Sequence, residues 1–236
     1  MMNILLIITA IFFVFSVVLG MRRGFLRSLT ILGTSVAAVI LTLLLLDTVQ
    51  TQVCARTNLE ERIASGLQGR IEEALPQEMT TEPGELPVLQ QAALIEEINL
   101  PQTLKNKLTE NNYTAMYEFL GVSTFVDYVT HYMARILVRI LCFVVCFLVL
   151  NLLLRLIFRT LNQAVRLPLL AGINRILGAF TGAASAILII WIFFLLLTPL
   201  CTTGFGAWCF GQIDASQILG WLYERNLLLT FLTALG

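Results

Sequence analysis

Four stretches of this chain are apolar for long enough to cross a bilayer: Ile4 to Leu19, Leu29 to Leu46, Ile136 to Phe158 and Ile173 to Leu197. A hydrocarbon core about 30 Å thick takes about 20 helical residues to cross. Lipid offers no partner to a backbone N–H or C=O, so each run must be an α-helix, whose hydrogen bonds close within the segment. Composition agrees: 58% of the 236 residues are hydrophobic and 13% charged, against roughly 25% charged in a soluble domain. A secretory signal carries its basic residues ahead of the apolar stretch. Here nothing basic precedes Ile4 and the arginines follow Leu19, the pattern of a retained span. The expected fold class is an all-α integral membrane protein with four transmembrane helices.

The net charge is zero, but the charges are segregated. Residues 47–131 hold 13 acids and 5 bases, and the rest of the chain holds 2 acids and 10 bases. Arg22, Arg23 and Arg27 lie in a turn at 20–28 between the first two spans. Arg155, Arg159, Arg166 and Arg175 lie in and around a loop at 159–173 between the last two, again without an acid. Basic residues in short loops stay in the cytoplasm, and two spans separate these loops, so both can lie inside together. The N-terminus, the acidic segment 47–131 and the tail 201–236 are then outside. The organisation is 1–46 as spans one and two, 47–131 as an extracytoplasmic helical insertion, 132–200 as spans three and four, and a C-terminal tail. The expected location is a membrane, crossed several times, with the basic loops on its cytoplasmic face.

The acidic insertion reads as helical. Thr57 and Glu60 form a capping-box pattern, and Leu59, Ile63, Leu67, Ile71 and Leu75 follow at i+4 as one apolar stripe. Pro76, Pro83, Gly84 and Pro87 interrupt it, and short helices are expected after Pro87 and after Pro101. The third span should begin early, since nothing breaks a helix from Thr124 to Phe158, roughly 50 Å at 1.5 Å per residue. Its outer part carries Asp127, His131, Arg135 and Arg139 at strict i+4 spacing. A charge within the membrane marks a functional site by default; the alternative is a stripe facing water or the acidic cap, with Arg139 snorkelling to the outer headgroups.

Catalytic signatures are absent. The chain has one histidine, no Gly-x-Ser-x-Gly elbow to present a nucleophile, no phosphate-binding glycine loop and no His-Glu-x-x-His zinc motif. The basic residues are spread over membrane edges, which argues against nucleic acid. No cofactor or metal is expected. Cys142 and Cys146 lie one turn apart within span three as small apolar residues. Cys201 and Cys209 flank a glycine-rich turn and could pair in an oxidising compartment. Asn112-Tyr113-Thr114 matches a short glycosylation pattern.

Span four places Gly178, Gly182 and Ala186 four apart. That spacing lets two membrane helices approach closely, either within one chain or between copies in a homo-oligomer. Gly33 and Ala37 of span two offer a matching small face, and Asn174 can cap the start of span four. In the tail, Asp214 or Ser216 can start a Leu-, Trp- and Tyr-rich helix suited to the outer interface. A fifth span is the alternative for this stretch.

"RRGFLRSL" (22–29) and "INRILGAFTGAASA" (173–186) resemble the two signature regions of the CvpA family, the colicin V production protein family of bacteria. "SQILGWLYERNLLL" (216–229) is similar to that family's C-terminal Ser…Tyr-Glu-x-Asn stretch, with Leu227 where related chains often have proline. The resemblance covers the membrane-embedded parts at both ends and excludes 47–131. It implies a small inner-membrane protein of the stand-alone form, rather than the form fused to a trypsin-like serine protease. It supplies no catalytic residue. The expected function is a non-enzymatic scaffold or accessory factor in toxin production, export or envelope homeostasis. Its partners would be the lipid bilayer and envelope proteins met through the outer acidic segment. The alternative is a small channel or transporter using Arg139, Asn151 and Arg155.

Overall fold

The computed structural model describes residues 3–74, 88–98, 100–161, 171–201 and 203–234. Among these the chain is helical, with no strands. The four apolar helices are α1 (Ile4–Arg23), α2 (Phe25–Thr57), α7 (Phe125–Leu161) and α8 (Ala171–Leu197). Each is long and apolar enough to span a bilayer. The outer layer consists of α3 (Leu59–Ala74), α4 (Val88–Glu97), α5 (Gln102–Glu110) and α6 (Thr114–Leu120). The tail is three short helices: α9 (Gly204–Asp214), α10 (Gln217–Glu224) and α11 (Leu227–Thr233).

The four long helices alternate in direction. One end of the bundle collects the C-terminus of α1, the N-termini of α2 and α8 and the C-terminus of α7, with Arg22, Arg23, Arg27, Arg155 and Arg175. The opposite end carries the outer layer and the tail. Between them runs a belt of exposed apolar side chains, including Ile8, Ile11, Leu44, Leu152 and Phe180.

Two helices outrun the membrane. At 1.5 Å per residue α2 is about 50 Å long and α7 about 55 Å. The early start expected for the third span is present: the Thr124 hydroxyl accepts the Asp127 N–H at 3.1 Å and caps α7. The capping box expected at Thr57 and Glu60 does not form, because nothing between Leu46 and Thr57 stops α2. Thr57 is the last residue of that helix and its hydroxyl bonds back to the Val53 carbonyl. Asn58 ends α2 in the left-handed region (φ 47°) that asparagine tolerates, and α3 starts at Leu59 with Glu60 and Glu61 in its first turn. The stripe then behaves as read: Leu67 and Ile71 are buried, and Leu59 and Ile63 pack against them. Leu75, Pro76, Pro83, Gly84 and Pro87 lie outside the described residues.

The outer layer shares its core with α7. Leu94, Ile95, Ile98, Leu104 and Leu108 are buried in the same cluster as Tyr128, Tyr132 and Ile136. The Tyr128 hydroxyl donates to the Leu108 carbonyl at 2.7 Å. Asn111 Nδ2 donates to the Tyr132 hydroxyl at 2.9 Å, and Tyr117 stacks on Tyr128 at 4.8 Å. From Phe125 to Val144, α7 is covered by protein on most faces; exposed apolar side chains begin at Val145.

The tail is not one interfacial helix, nor a fifth span, since no helix after α8 exceeds 11 residues. Thr203, Ser216 and Asn226 each accept the N–H three residues on and divide it into three. It exposes Phe205, Trp208, Ile218, Trp221 and Phe231, of which the tryptophans are a residue type that settles at a membrane–water boundary. Cys201 and Cys209 are both buried and are not joined by a disulfide.

Candidate functional site

The two stretches that resemble family signatures pack on each other at the arginine-bearing end. Gly178 and Gly182 of α8 meet Gly20 and Ser16 of α1, not the small residues of α2. A Cβ on Gly178 would lie 2.5 Å from the Gly20 carbonyl oxygen, and one on Gly182 2.6 Å from that of Ser16. A Cβ on Gly33 would meet nothing within 4 Å, so the expected match to span two is replaced by one to α1. The contact is within the chain, and Ala186 is fully buried beside it. Gly24 has φ +79° and takes the chain from α1 into α2. Gly20, expected in the turn, lies within α1 and serves the crossing.

Asn174 does not start its own helix. α8 begins at Ala171, and the Asn174 Oδ1 accepts the Phe25 N–H at 2.7 Å. Gly24 itself makes no side-chain cap bond to α2, so a residue 149 positions away supplies the cap. Because α1 is drawn to α8, it meets α2 only sparsely, and a cleft opens between the two helices.

That cleft has a volume of about 390 Å³ and is lined by Phe12, Phe15, Ser16, Leu19, Gly20, Arg23, Arg27, Ser28, Ile31, Arg155, Gly182, Ser185 and Ile189. Among the described residues, three arginines line it from α1, α2 and α7, and no carboxylate does. The Arg155 guanidinium donates to the Ser35 hydroxyl of α2 at 3.4 Å. Ser28 and Ser185 bond to the Gly20 and Thr181 carbonyls. Arg22 and Arg175 are exposed at the same end but do not line the cleft. The Arg159 side chain and all of Arg166 lie outside the described residues.

The polar stripe of α7 is half-buried at all four positions. Arg139 pairs with Asp47 of α2 at 3.2 Å, and the Arg135 guanidinium sits 4.4 Å over the Phe119 ring of α6. No hydrogen bond or ion pair joins Asp127 to His131. Two members of the stripe, Arg135 and Arg139, thus contact neighbouring helices. The polar groups that a path through α7 would use lie at separate levels of the helix. Arg139 is held at the outer level and Arg155 at the inner, with Phe143 and Phe147 stacked at 6.2 Å between them. Asn151 keeps a buried side-chain oxygen without a partner.

The C-terminal signature is a clamp on α8. Asn226 is fully buried, its Nδ2 donating to the Trp191 carbonyl at 3.0 Å while its Oδ1 caps α11. Trp191 Nε1 donates to the Leu222 carbonyl at 3.1 Å. Tyr223 sits edge-on between Phe194 and Phe210. Sequence reasoning placed Asn226 in the tail signature without a role for its side chain, and missed Ser28 and Ser185 of the cleft. The available signals were polar residues interrupting apolar runs, with Ser16, Ser28 and Ser185 close to arginines or small residues.

Four apolar helices of spanning length define a multi-pass helical membrane protein. The family model described as Colicin V production protein matches residues 115–224, covering α7, α8, α9, α10 and nearly all of α6. Over that stretch the chain matches the Colicin V production protein (CvpA) family. The match takes in the second signature and the tail as far as Glu224, and it also enters the acidic segment at 115–131. No curated protein and no solved structure matches the chain.

Proposed function

We propose that this protein is a CvpA-family, non-enzymatic scaffold or accessory factor of the bacterial inner membrane, serving toxin production, export or envelope homeostasis. The observation that carries this reading is the outer half of α7, which is buried from Phe125 to Val144, packed on α3 of the outer layer as well as on α2, with Tyr128 bonded to Leu108 of α5. A helix buried on that scale fixes a folded surface to the membrane part. The positive-inside rule puts the arginine-bearing end in the cytoplasm and the acidic layer outside, where its charge keeps it off anionic headgroups. The outer layer is then the surface offered to an envelope partner. The channel reading is weaker because the polar groups of α7 are held at separate levels.

The test joins two measurements. A photoreactive residue at Glu61 or Tyr113, both exposed, should crosslink to a discrete envelope protein in cells, and replacing α4–α6 should abolish both crosslink and phenotype. Proteoliposomes should show no solute flux. Flux that disappears in folded Asn151→Leu protein would reject the scaffold in favour of a channel. Reporter fusions that place residues 59–74 in the cytoplasm would reject the orientation.

A further inference from the structure

We infer that the arginine-lined cleft between α1, α2, α7 and α8 binds the phosphate headgroup of an anionic membrane lipid, with the start of its acyl chain along the apolar wall. Arg23, Arg27 and Arg155 reach the cleft from three different helices, and among the described residues no acid lines it. Guanidinium presents a planar fork of donors that matches phosphate oxygens. Orientation in the membrane needs basic residues only on the correct side. Arg22 and Arg175 supply that from outside the cleft, so orientation does not account for the convergence of the other three. The hydroxyl of Ser35 already holds Arg155 in place.

The walls explain why the ligand is a lipid rather than a soluble anion. Beyond the arginines the lining turns apolar, through Leu19, Phe12 and Ile31. Phe15 and Ile189 at its side are 58% and 47% exposed within the apolar belt, so the cleft opens sideways to where acyl chains lie. A volume of about 390 Å³ is at the small end for ligand sites, roughly 300–1,000 Å³, and suits a headgroup with the first part of one chain. Inorganic phosphate would satisfy the arginines and leave the apolar wall without a partner. The cleft owes its existence to the α1–α8 crossing, which brings Gly178 and Gly182 of the second signature stretch onto Ser16 and Gly20 of α1.

The experiment uses the full chain in neutral detergent, titrated with phosphatidic acid, phosphatidylglycerol, phosphatidylcholine or inorganic phosphate and read by native mass spectrometry. Phosphatidic acid and phosphatidylglycerol should each occupy one site at least about tenfold more tightly than phosphatidylcholine, and millimolar inorganic phosphate should not displace them. Arg155→Gln should weaken binding about tenfold, the loss of one charge-assisted hydrogen bond; Arg22→Gln, an equal change of charge outside the cleft, should not. Ser185→Phe fills the cleft without touching any charge or the orientation signal, and should also displace the lipid; it decides the matter if Arg155→Gln does not fold. Equal weakening by Arg155→Gln and Arg22→Gln would mean diffuse attraction and overturn the site. Equal binding of phosphatidylcholine, or full displacement by inorganic phosphate, would overturn the anionic-lipid assignment. None of these outcomes depends on whether the outer layer takes a protein partner.

Discussion

Replacing Gly182 with alanine tests the α1–α8 crossing directly. The added Cβ would stand 2.6 Å from the Ser16 carbonyl oxygen, whereas ordinary contact begins at 3.4 Å. That oxygen belongs to helix backbone and cannot rotate away, so α1 must retreat from α8 by about 0.8 Å. The retreat also loosens the Gly20–Gly178 contact one turn further along. Overpacking of this kind costs about 1–3 kcal/mol. At about 2–4 °C per kcal/mol for a chain of this size, a cost of about 2 kcal/mol lowers Tm by about 4–8 °C. Gly33→Ala is the matched control: its Cβ meets nothing within 4 Å, and alanine is the better helix former, so Tm should hold or rise slightly. The assay is thermal unfolding in detergent followed by helical circular dichroism. Should Gly182→Ala unfold at the temperature of Gly33→Ala, the close crossing and the argument built on it are refuted.

Three further outcomes are expected. Asn174→Ala removes the cap of α2 and should cost about 0.5–2 kcal/mol, while Asn174→Asp, which keeps the accepting oxygen for the Phe25 N–H, should recover most of it in the same unfolding assay. Asn226→Ala breaks the bond to Trp191 and the cap of α11 together. At about 1–3 kcal/mol for each buried group left unpaired, the tail should detach, seen as protease cleavage near residues 225–227 in protein whose four spans remain intact. Burial pushes the Tyr117 phenol up from its ordinary 10 to about 12. The folded state therefore holds that proton more tightly than the unfolded state, and its stabilisation is full below pH 10 and lost as pH rises through about 12. Alkaline unfolding of the outer layer, followed by tyrosinate absorbance, should be shallower across that window in Tyr117→Phe.

The candidate site was only half legible in the sequence. Gly178 and Gly182 announced a close helix approach by their spacing, but spacing names no partner. Gly33 and Ala37 offered a small face as good as that of Ser16 and Gly20, and the choice required the crossing geometry of the folded bundle. Asn174 stood where a helix start was expected and was read as capping its own helix. Its true acceptor role spans 149 residues, which no local pattern encodes. Arg155 belonged by position to a basic loop, and only the packing of α7 beside α2 turned it toward Arg23 and Arg27.

What the sequence by itself determined was the set of spans, the separation of basic from acidic ends and the long outward run of α7. Those follow from local rules: backbone groups in lipid must pair within their own helix, and a helix continues until something stops it. Thr57 shows the same rule from the other side, since a good capping pattern could not end a helix that nothing had interrupted. The tertiary structure decided which helices touch, how the tail divides and where a cleft opens. Those outcomes depend on backbone carbonyls of one helix meeting glycines of another, and on single side chains such as Asn174, Asn226 and Arg155 finding partners far along the chain. Contacts of that kind arise only when the bundle has closed.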